Sequence, residues 1–548
     1  MATTGLATTV RTNSPQFGDN AASMQTYIDR IRAVERRLVA TERAHESRAR
    51  KRGKLLPRER LARLLDPGAP FVELCPMAGY QMYGDESGES AGGNLIAGIG
   101  FVERRRCLCI VWNYAIKGGT VSAVTVKKML RLQEIALDNR LPVVSLSESG
   151  GGDLGGGGAG DPWGANVFLE GGTCYANQAR LSAAGIPQVV VAHGNATAGG
   201  AYHVALSDYI VLVRGQTQLF LAGPPLLKAA TGAEASAEAL GGAEMHARVS
   251  GTGEYLVEDD ADGIRVARAI VGQLPLPARV VPSAPAEPPE HDPEELIGIV
   301  PADPKVSYDV REVVARLADR SVLLEFGAAI DAGTVCGHGH LGGHRVGFVG
   351  NNGPITPAGA KKATQFLQLC DQSMTPVIFL QNTTGFLVGV EAEEQGQVKH
   401  GSKMIQAVAN MRTTKISLVL GNSYGAGNYA MASRALSPHF IFSWPTARTA
   451  VMGGAQAAKV MQIVAEGKLA RSGVTLDDGV RAQLDGQARA IEAGLDTISE
   501  AMYCSARLFD DGIIDPRDSR DLLCFLLDTR REAEGRTTMP NTFGVQRP

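Results

Sequence analysis

The sequence predicts an α/β fold built twice along one chain, and three observations lead there. Short apolar runs bounded by glycine alternate with stretches of helical periodicity, the pattern of strands and helices in α/β proteins. Segments of the first half recur in the second at fixed offsets, the mark of an internal duplication. A stretch too rich in proline for a regular helix or a central strand separates the halves.

The chain has 548 residues, enough for two to four domains at roughly 150 residues each. Lys+Arg number 54 and Asp+Glu 57, a net charge of 54 − 57 = −3, without the basic excess of a general nucleic-acid binder. No run of about 18 uncharged apolar residues appears, so no membrane span is expected. Eight cysteines in so long a chain suit a reducing cytoplasm better than a disulfide scaffold. Glycine is abundant, 65 of 548, which points to many tight turns or close approaches of backbone to a ligand.

Residues 1–23 read as a flexible tail, polar at the start and without the apolar core of a secretory signal. From Met24 to about Arg52 a charged stretch carries Tyr27, Ile28, Ile31, Val34 and Leu38 near helical spacing, a solvated helix lying on a core or partner. Leu61, Leu64 and Leu65 then form a short apolar face that Asp66-Pro67-Gly68 ends. Residues 24–274 form the N-terminal domain, 275–293 a proline-rich linker and 294–548 the C-terminal domain.

The halves match in order. Lys127/Lys361, Pro142/Pro376 and Leu146/Leu380 are each 234 apart, while Gly194/Gly421, Asn195/Asn422, Gly200/Gly427 and Tyr202/Tyr429 are each 227 apart. The offset falls by seven because the first half carries an insert, a run with eight glycines among residues 150–160. Pro142–Leu146, Pro376–Leu380, Val189–Ala192 and Ile416–Leu420 read as buried strands.

Common catalytic signatures are missing: there is no P-loop, no G-x-S-x-G elbow and no H-E-x-x-H. The glycines at 337, 339 and 342 match G-x-G-x-x-G but lead into a strand, the wrong context for a dinucleotide site. Cys336, His338, His340 and His344 have alternating spacing suited to a metal, but their glycine neighbours suit a hairpin and no carboxylate completes the set. Cys107 and Cys109 read as core. What remains is a pair of glycine-rich strand-to-helix turns, Ala198–Ala201 and Gly425–Asn428. Each exposes backbone N–H groups at the positive end of a helix, an arrangement that stabilises an oxyanion. Two such turns at equivalent positions suit a reaction between two carbonyl-like substrates.

The segments RGKLLPRERLARLLDPG, IKGGT at 116–120, TAGGAY at 197–202, FLAGPPLLKAATG at 220–232, LGGAEMHARVSG at 240–251, FLQNTTGFLVG at 379–389, YGAGNYAM at 424–431, SWPTARTAVMGGAQAA at 443–458 and DDGIIDPRD at 510–518 resemble the carboxyltransferase (β) subunits of biotin-dependent acyl-CoA carboxylases. The branch they resemble most is that of methylcrotonoyl-CoA and geranoyl-CoA carboxylases. The resemblance implies two crotonase-like ββα-superhelix domains, the first for acyl-CoA and the second for carboxybiotin, in a β hexamer whose sites lie between subunits. It implies that Gly199 and Gly200 donate to the thioester oxygen and that Ala426 and Gly427 donate to the biotin ureido oxygen. Lys117, Gly118, Gly119, Thr120, Ser149, Gly150, Gly151, Gly171, Gly223 and Pro224 would line the acyl-CoA side. Thr384, Gly385, Phe386, Tyr424, Gly425 and Asn428 would line the biotin side. No side-chain acid or base is then needed, because the cofactor carries the proton chemistry. No metal is implied. Neither an M-K-M biotin-acceptor triplet nor an ATP-grasp segment is present, which implies a separate biotin carboxylase and carrier (α) subunit.

Two departures bear on substrate. The segment Gly171–Ala176 before Asn177-Gln178-Ala179 is poorer in aromatics than the methylcrotonoyl branch, which makes room for a longer branched acyl chain unless neighbours compensate. The glycine run reads equally as a mobile lid or as a solvated loop. Ala455 stands where many relatives have glutamate, so no role is carried onto it. Within the family, propionyl- or acetyl-CoA carboxylation remains an alternative; outside it stand a biotin-coupled acyl-CoA decarboxylase on the same fold and a non-catalytic scaffold for the biotin subunit, against which the intact glycine turns of both halves weigh.

Overall fold

The computed structural model describes residues 5–153, 165–275, 282–303, 306–473 and 477–541. Most of the glycine run, from Leu154 onward, and residues 276–281 of the predicted linker lie outside them. The helices used below are α1 (Pro15–Arg43), α2 (Pro57–Leu64), α3 (Ala123–Asp138), α4 (Ala165–Ala183), α5 (Gly199–Ala205), α6 (Asp260–Gln273), α7 (Pro357–Gln372), α8 (Gln397–Asn410) and α9 (Gly425–Ala430).

The chain forms two compact units. The strands of the first are β1 (Val72–Glu73), β2 (Leu95–Val102), β3 (Arg105–Trp112), β4 (Val143–Ser149), β5 (Gln188–Thr197), β6 (Tyr209–Val213), β7 (Gln218–Phe220) and β8 (Tyr255–Val257). They lie in the order β1-β2-β3-β4-β5-β6-β8, with β7 added beside β5. The hairpin β2–β3 is antiparallel, and β3 through β6 run parallel. Alternate side chains of the buried strands serve opposite faces, as strand geometry requires. Val189 and Val191 pack with α2 and α6, while Val190 and Ala192 pack with Val204 of α5 and with Ala243.

The second unit repeats this plan with β9 (Leu324–Glu325), β10 (Thr334–Leu341), β11 (His344–Asn351), β12 (Val377–Thr383), β13 (Lys415–Tyr424), β14 (Phe440–Ser443) and β15 (Arg448–Ala450). Their order is β9-β10-β11-β12-β13-β14, with β15 beside β13 as β7 is beside β5. The register slips between Ser147 and Ser149 in the first sheet and between Gln381 and Thr383 in the second, again 234 residues apart. The irregularity that ends each central strand pair is therefore duplicated along with the strands. The second lysine of each Lys-Lys pair is buried as well: Lys128 Nζ donates to the carbonyls of Cys75, Gly92 and Leu95, and Lys362 Nζ to that of Asp331.

Three expectations are corrected. Residues 1–23 are not a flexible tail throughout: α1 begins at Pro15, Asn20 bonds to Gly298 and Ala302, and Thr8 and Thr9 bond to Glu312. A polar composition misled because these polar groups satisfy buried partners rather than water. The described part of the 275–293 stretch is pinned rather than free, with Ser283 and Ala284 on the Gly343 carbonyl and Glu290 N–H on Ser321. The units also exchange chain ends. Residues 5–31 belong with the unit of residues 282–505, and residues 528–541 with the unit of residues 32–275. The glycines around Cys336, His338, His340 and His344 do make a hairpin, β10–β11, in which the His338 ring packs on Phe366. Cys107 and Cys109 lie in the core.

A buried ion network fixes the first unit. Arg60, fully buried on α2, donates to Asp260 at 2.9 Å and to Glu148 at 3.0 Å, and Lys54 also pairs with Glu148. Asp260 in turn meets His193 of β5 at 2.8 Å. Removing one member of such a set leaves uncompensated charge in a region that excludes water. Arg60→Met is expected to lower stability by about 3–5 kcal/mol, read as a fall in the urea midpoint.

Candidate active site

Each unit carries its glycine turn where the central parallel strand meets a short helix. In the first, β5 ends at Thr197, Ala198 takes φ +53°, and α5 begins at Gly199. In the second, β13 ends at Tyr424 and Gly425 takes φ +56°. Ala198 and Gly425 are 227 residues apart, so the positive φ is itself part of the duplication. The second half meets it with glycine. The first holds an alanine there, a backbone conformation that costs of order 1–3 kcal/mol for a residue with a Cβ. The first N–H groups of each helix have no acceptor within the helix. These belong to Gly199 and Gly200 in one unit and to Ala426 and Gly427 in the other.

The second glycine of each turn is pressed against the end of the neighbouring strand. A Cβ on Gly200 would stand 3.1 Å from Ser149 Cβ. A Cβ on Gly427 would stand 2.8 Å from Gly385 Cα and 3.2 Å from Thr383 Cγ2. Ser149 and Thr383 are the duplicated strand ends beyond the register slip. On the first unit, Gly150 N–H donates to Gly118, Val121 N–H to Gly151 and Gly151 N–H to Ser149 Oγ. Lys117, Gly118 and Gly119 all have positive φ, and a Cβ on Gly119 would strike the Glu148 carbonyl. The predicted Lys117–Thr120 and Ser149–Gly151 segments are thus stitched together beside Gly200. Gly223 and Pro224 cap a separate short helix that follows β7, whose Phe220 accepts from Ala198 N–H.

A cleft of about 400 Å³, open solvent included, lies beside this turn. Trp112, Val126, Met129, Cys174, Tyr175 and His203 line it with Gly171, Gly199 and Gly200. Gly171, Cys174, Tyr175 and Gln178 follow at helical spacing on α4, which sets them on one face. Among the described residues, no atom outside the helix's own backbone comes closer than 4.0 Å to the place of a Cβ on Gly171, where Val126 Cγ2 stands, so that wall is open. The Tyr175 hydroxyl occupies the space a Cβ on Gly199 would need. Trp112, Met129 and His203 were not among the predicted site residues, whereas Cys174 and Tyr175 lie in the Gly171–Ala176 segment expected to bear on the acyl chain. Trp112 and Met129 come from elements with no motif.

On the second unit, Thr384 is exposed, and Gly385 (φ +116°) forms the floor under Gly427. Two predicted residues turn away from the turn's open side. The Phe386 ring packs inward over Gly401, against the core. Asn428 Nδ2 donates to Ser423 Oγ at 2.8 Å, and Ser423 passes on to Gln381, so Asn428 braces the turn from beneath. Tyr424 is buried, with its ring against Gly453. Among the described residues no group of three or more His, Cys, Asp or Glu side chains is placed to hold a metal.

The sequence profile of the carboxyl transferase domain matches residues 48–543. A probable biotin-dependent acyl-coenzyme A carboxylase beta2 subunit of Mycobacterium tuberculosis is 42% identical over 99% of this chain and 100% of its own length. A probable mitochondrial methylcrotonoyl-CoA carboxylase beta chain of Drosophila melanogaster is 42% identical over 97% of this chain and 93% of its own. The crystal structure of the P. aeruginosa geranyl-CoA carboxylase beta subunit is 53% identical, with a TM-score of 0.91 over 99% of both chains. A duplicated crotonase-like fold that matches the carboxyl transferase domain over most of its length defines a carboxyltransferase. The chain belongs to the carboxyl transferase family, as a β subunit of the biotin-dependent acyl-CoA carboxylases.

The two turns differ in tolerance. Gly427→Ala drives a Cβ into the Gly385 backbone and is expected to cost about 1–3 kcal/mol. Gly200→Ala meets only the Ser149 side chain and is expected to cost less than about 1 kcal/mol, relieved in the double variant with Ser149→Gly. Thermal melts of the three proteins check this.

Proposed function

We propose that this subunit carboxylates a branched α,β-unsaturated acyl-CoA whose tail is longer than the five-carbon 3-methylcrotonoyl group, of the geranoyl type. The carrying observation is the open wall at Gly171. The likeness to a geranyl-CoA carboxylase β subunit supports the same reading.

The first unit binds the acyl-CoA. The N–H groups of Gly199 and Gly200 bond the thioester oxygen and hold the negative charge that develops there once the γ-proton leaves. Losing one such donor typically costs about 3 kcal/mol of barrier. The acyl tail lies along Gly171, Met129 and Trp112. Lys117, Gly118, Gly119, Thr120, Ser149, Gly150, Gly151, Gly223 and Pro224 line the approach of the CoA. On the second unit Ala426 and Gly427 hold the ureido oxygen of biotin, with Thr384, Gly385, Tyr424 and Gly425 around it and Phe386 and Asn428 as braces. When bound, carboxybiotin supplies the carboxyl group and the base. The fit of that group is supported by the first N–H groups of α9, those of Ala426 and Gly427, which have no acceptor within the helix. The protein's part is to orient two substrates and to keep donors aimed at both oxygens.

The biotin arrives on a separate biotin carboxylase and carrier subunit, and the chain works as a homo-oligomer, in our reading a hexamer. Eight cysteines in so long a chain support a reducing, cytoplasmic setting. No helix among the described residues is long and apolar enough to cross a membrane.

The test is ATP-dependent bicarbonate fixation by the chain co-purified with its biotin subunit, offered acetyl-, propionyl-, 3-methylcrotonoyl- and geranoyl-CoA. Preference for geranoyl-CoA is expected, and fixation only on saturated short substrates would overturn the reading. Gly171→Phe is expected to lower kcat/KM for geranoyl-CoA about 100-fold by overfilling the cleft, and that for 3-methylcrotonoyl-CoA less than tenfold.

A further inference from the structure

His203 lines the acyl cleft, yet both of its ring nitrogens are engaged on the far side. Nδ1 is 3.1 Å from Gln178 Oε1 and Nε2 is 3.0 Å from Ser145 Oγ. The Gln178 amide is fixed by its own bonds, since its nitrogen donates to the His203 carbonyl at 2.7 Å and to Ser207 Oγ at 3.3 Å. Its oxygen therefore meets Nδ1, which must carry the proton, and Nε2 accepts from the Ser145 hydroxyl. The chain Gln178–His203–Ser145 joins α4, α5 and β4, the elements that bear Gly171, Gly200 and Ser149.

We propose that Gln178 is a specificity-setting residue: because it meets Nδ1 as an uncharged amide where a carboxylate would favour the imidazolium, the buried His203 ring stays neutral and the cleft offers the acyl tail an uncharged wall. A ring free to bind a second proton would place a cation beside a hydrocarbon, which is strongly unfavourable away from water. The surroundings agree. Trp112 of β3 packs on the imidazole with ring centroids 5.7 Å apart. The titratable groups facing it from α4 are Cys174 and Tyr175, both pushed up by burial, the thiol to about 12, and hence neutral near pH 7. Tyr202 precedes it on its own helix. Burial pushes His203 down to about 4. Gln178 itself touches no part of the cleft and acts through the ring. The proposal rests on reading this cleft as the acyl site.

Trp112 provides a readout independent of turnover, because a protonated imidazole beside an indole quenches its fluorescence. The difference in emission between the full-length chain and its Trp112→Phe variant isolates that signal. It is expected to stay flat from pH 8 to 5, and a midpoint near the usual 6.5 for histidine would overturn the proposal. Gln178→Glu sets a carboxylate against Nδ1–H, favours the imidazolium and is expected to move the midpoint above about 6. Gln178→Leu, which adds no charge, is expected to stay flat. A Gln178→Glu protein that folds and stays flat, or a Gln178→Leu protein that titrates like it, would overturn the assignment. In the assembled enzyme, Gln178→Glu is expected to raise KM for the branched enoyl-CoA on the order of tenfold between pH 8 and pH 6, with kcat changed less than twofold. Quenching without that KM change overturns the specificity role. The acyl-site reading fails separately, if Gly171→Phe leaves the ratio of long to short substrates unchanged.

Discussion

The site depends on one kind of contact, the pressing of a glycine-turn backbone onto the end of the adjacent parallel strand. Gly200 lies against Ser149 and Gly427 against Gly385, each just past a register slip in the strand pair. The slip carries the strand end outward, and the glycine admits it. A Cβ at Gly427, and less severely at Gly200, would press on that strand end, so the first N–H groups of α5 and α9 are held in fixed directions. Donors fixed before a reaction need no reorganisation during it, which is what the oxyanion role proposed for them requires.

Different devices hold the two copies of this contact. In the first unit the strand end is tied through Glu148 to Lys54 and to Arg60, and Arg60 is shared with Asp260. The Gln178–His203–Ser145 chain supports the helix from the other side. In the second unit, position 382, equivalent to Glu148, is Asn, and the brace is the uncharged run Asn428–Ser423–Gln381, which ends on the Met431 carbonyl. A duplicated backbone geometry thus persists while the side chains that enforce it have diverged. The divergence accompanies the chemistry proposed for each half, since the first half also shapes an apolar cleft.

Much of this was legible in the residues. The offsets of 234 and 227 located both sheets, both turns and the insert between them, because a backbone that must turn tightly in two places keeps glycine in two places. The hairpin at 336–344 was legible from glycine spacing for the same reason. The tail was not, because hydrogen bonds such as Thr9 to Glu312 join residues 303 apart and leave no local pattern. Phe386 and Asn428 lay within motif segments, but which way a side chain points depends on what packs behind it.

The sequence by itself determined the α/β class, the duplication and the placement of two donor turns, since these follow from local periodicity and from the backbone demands that glycine meets. Only the tertiary structure decided which chain ends complete which unit, that the wall at Gly171 stands open, and that His203 joins Trp112 and Met129 in one cleft. Those outcomes depend on side chains far apart in sequence filling, or failing to fill, the same volume.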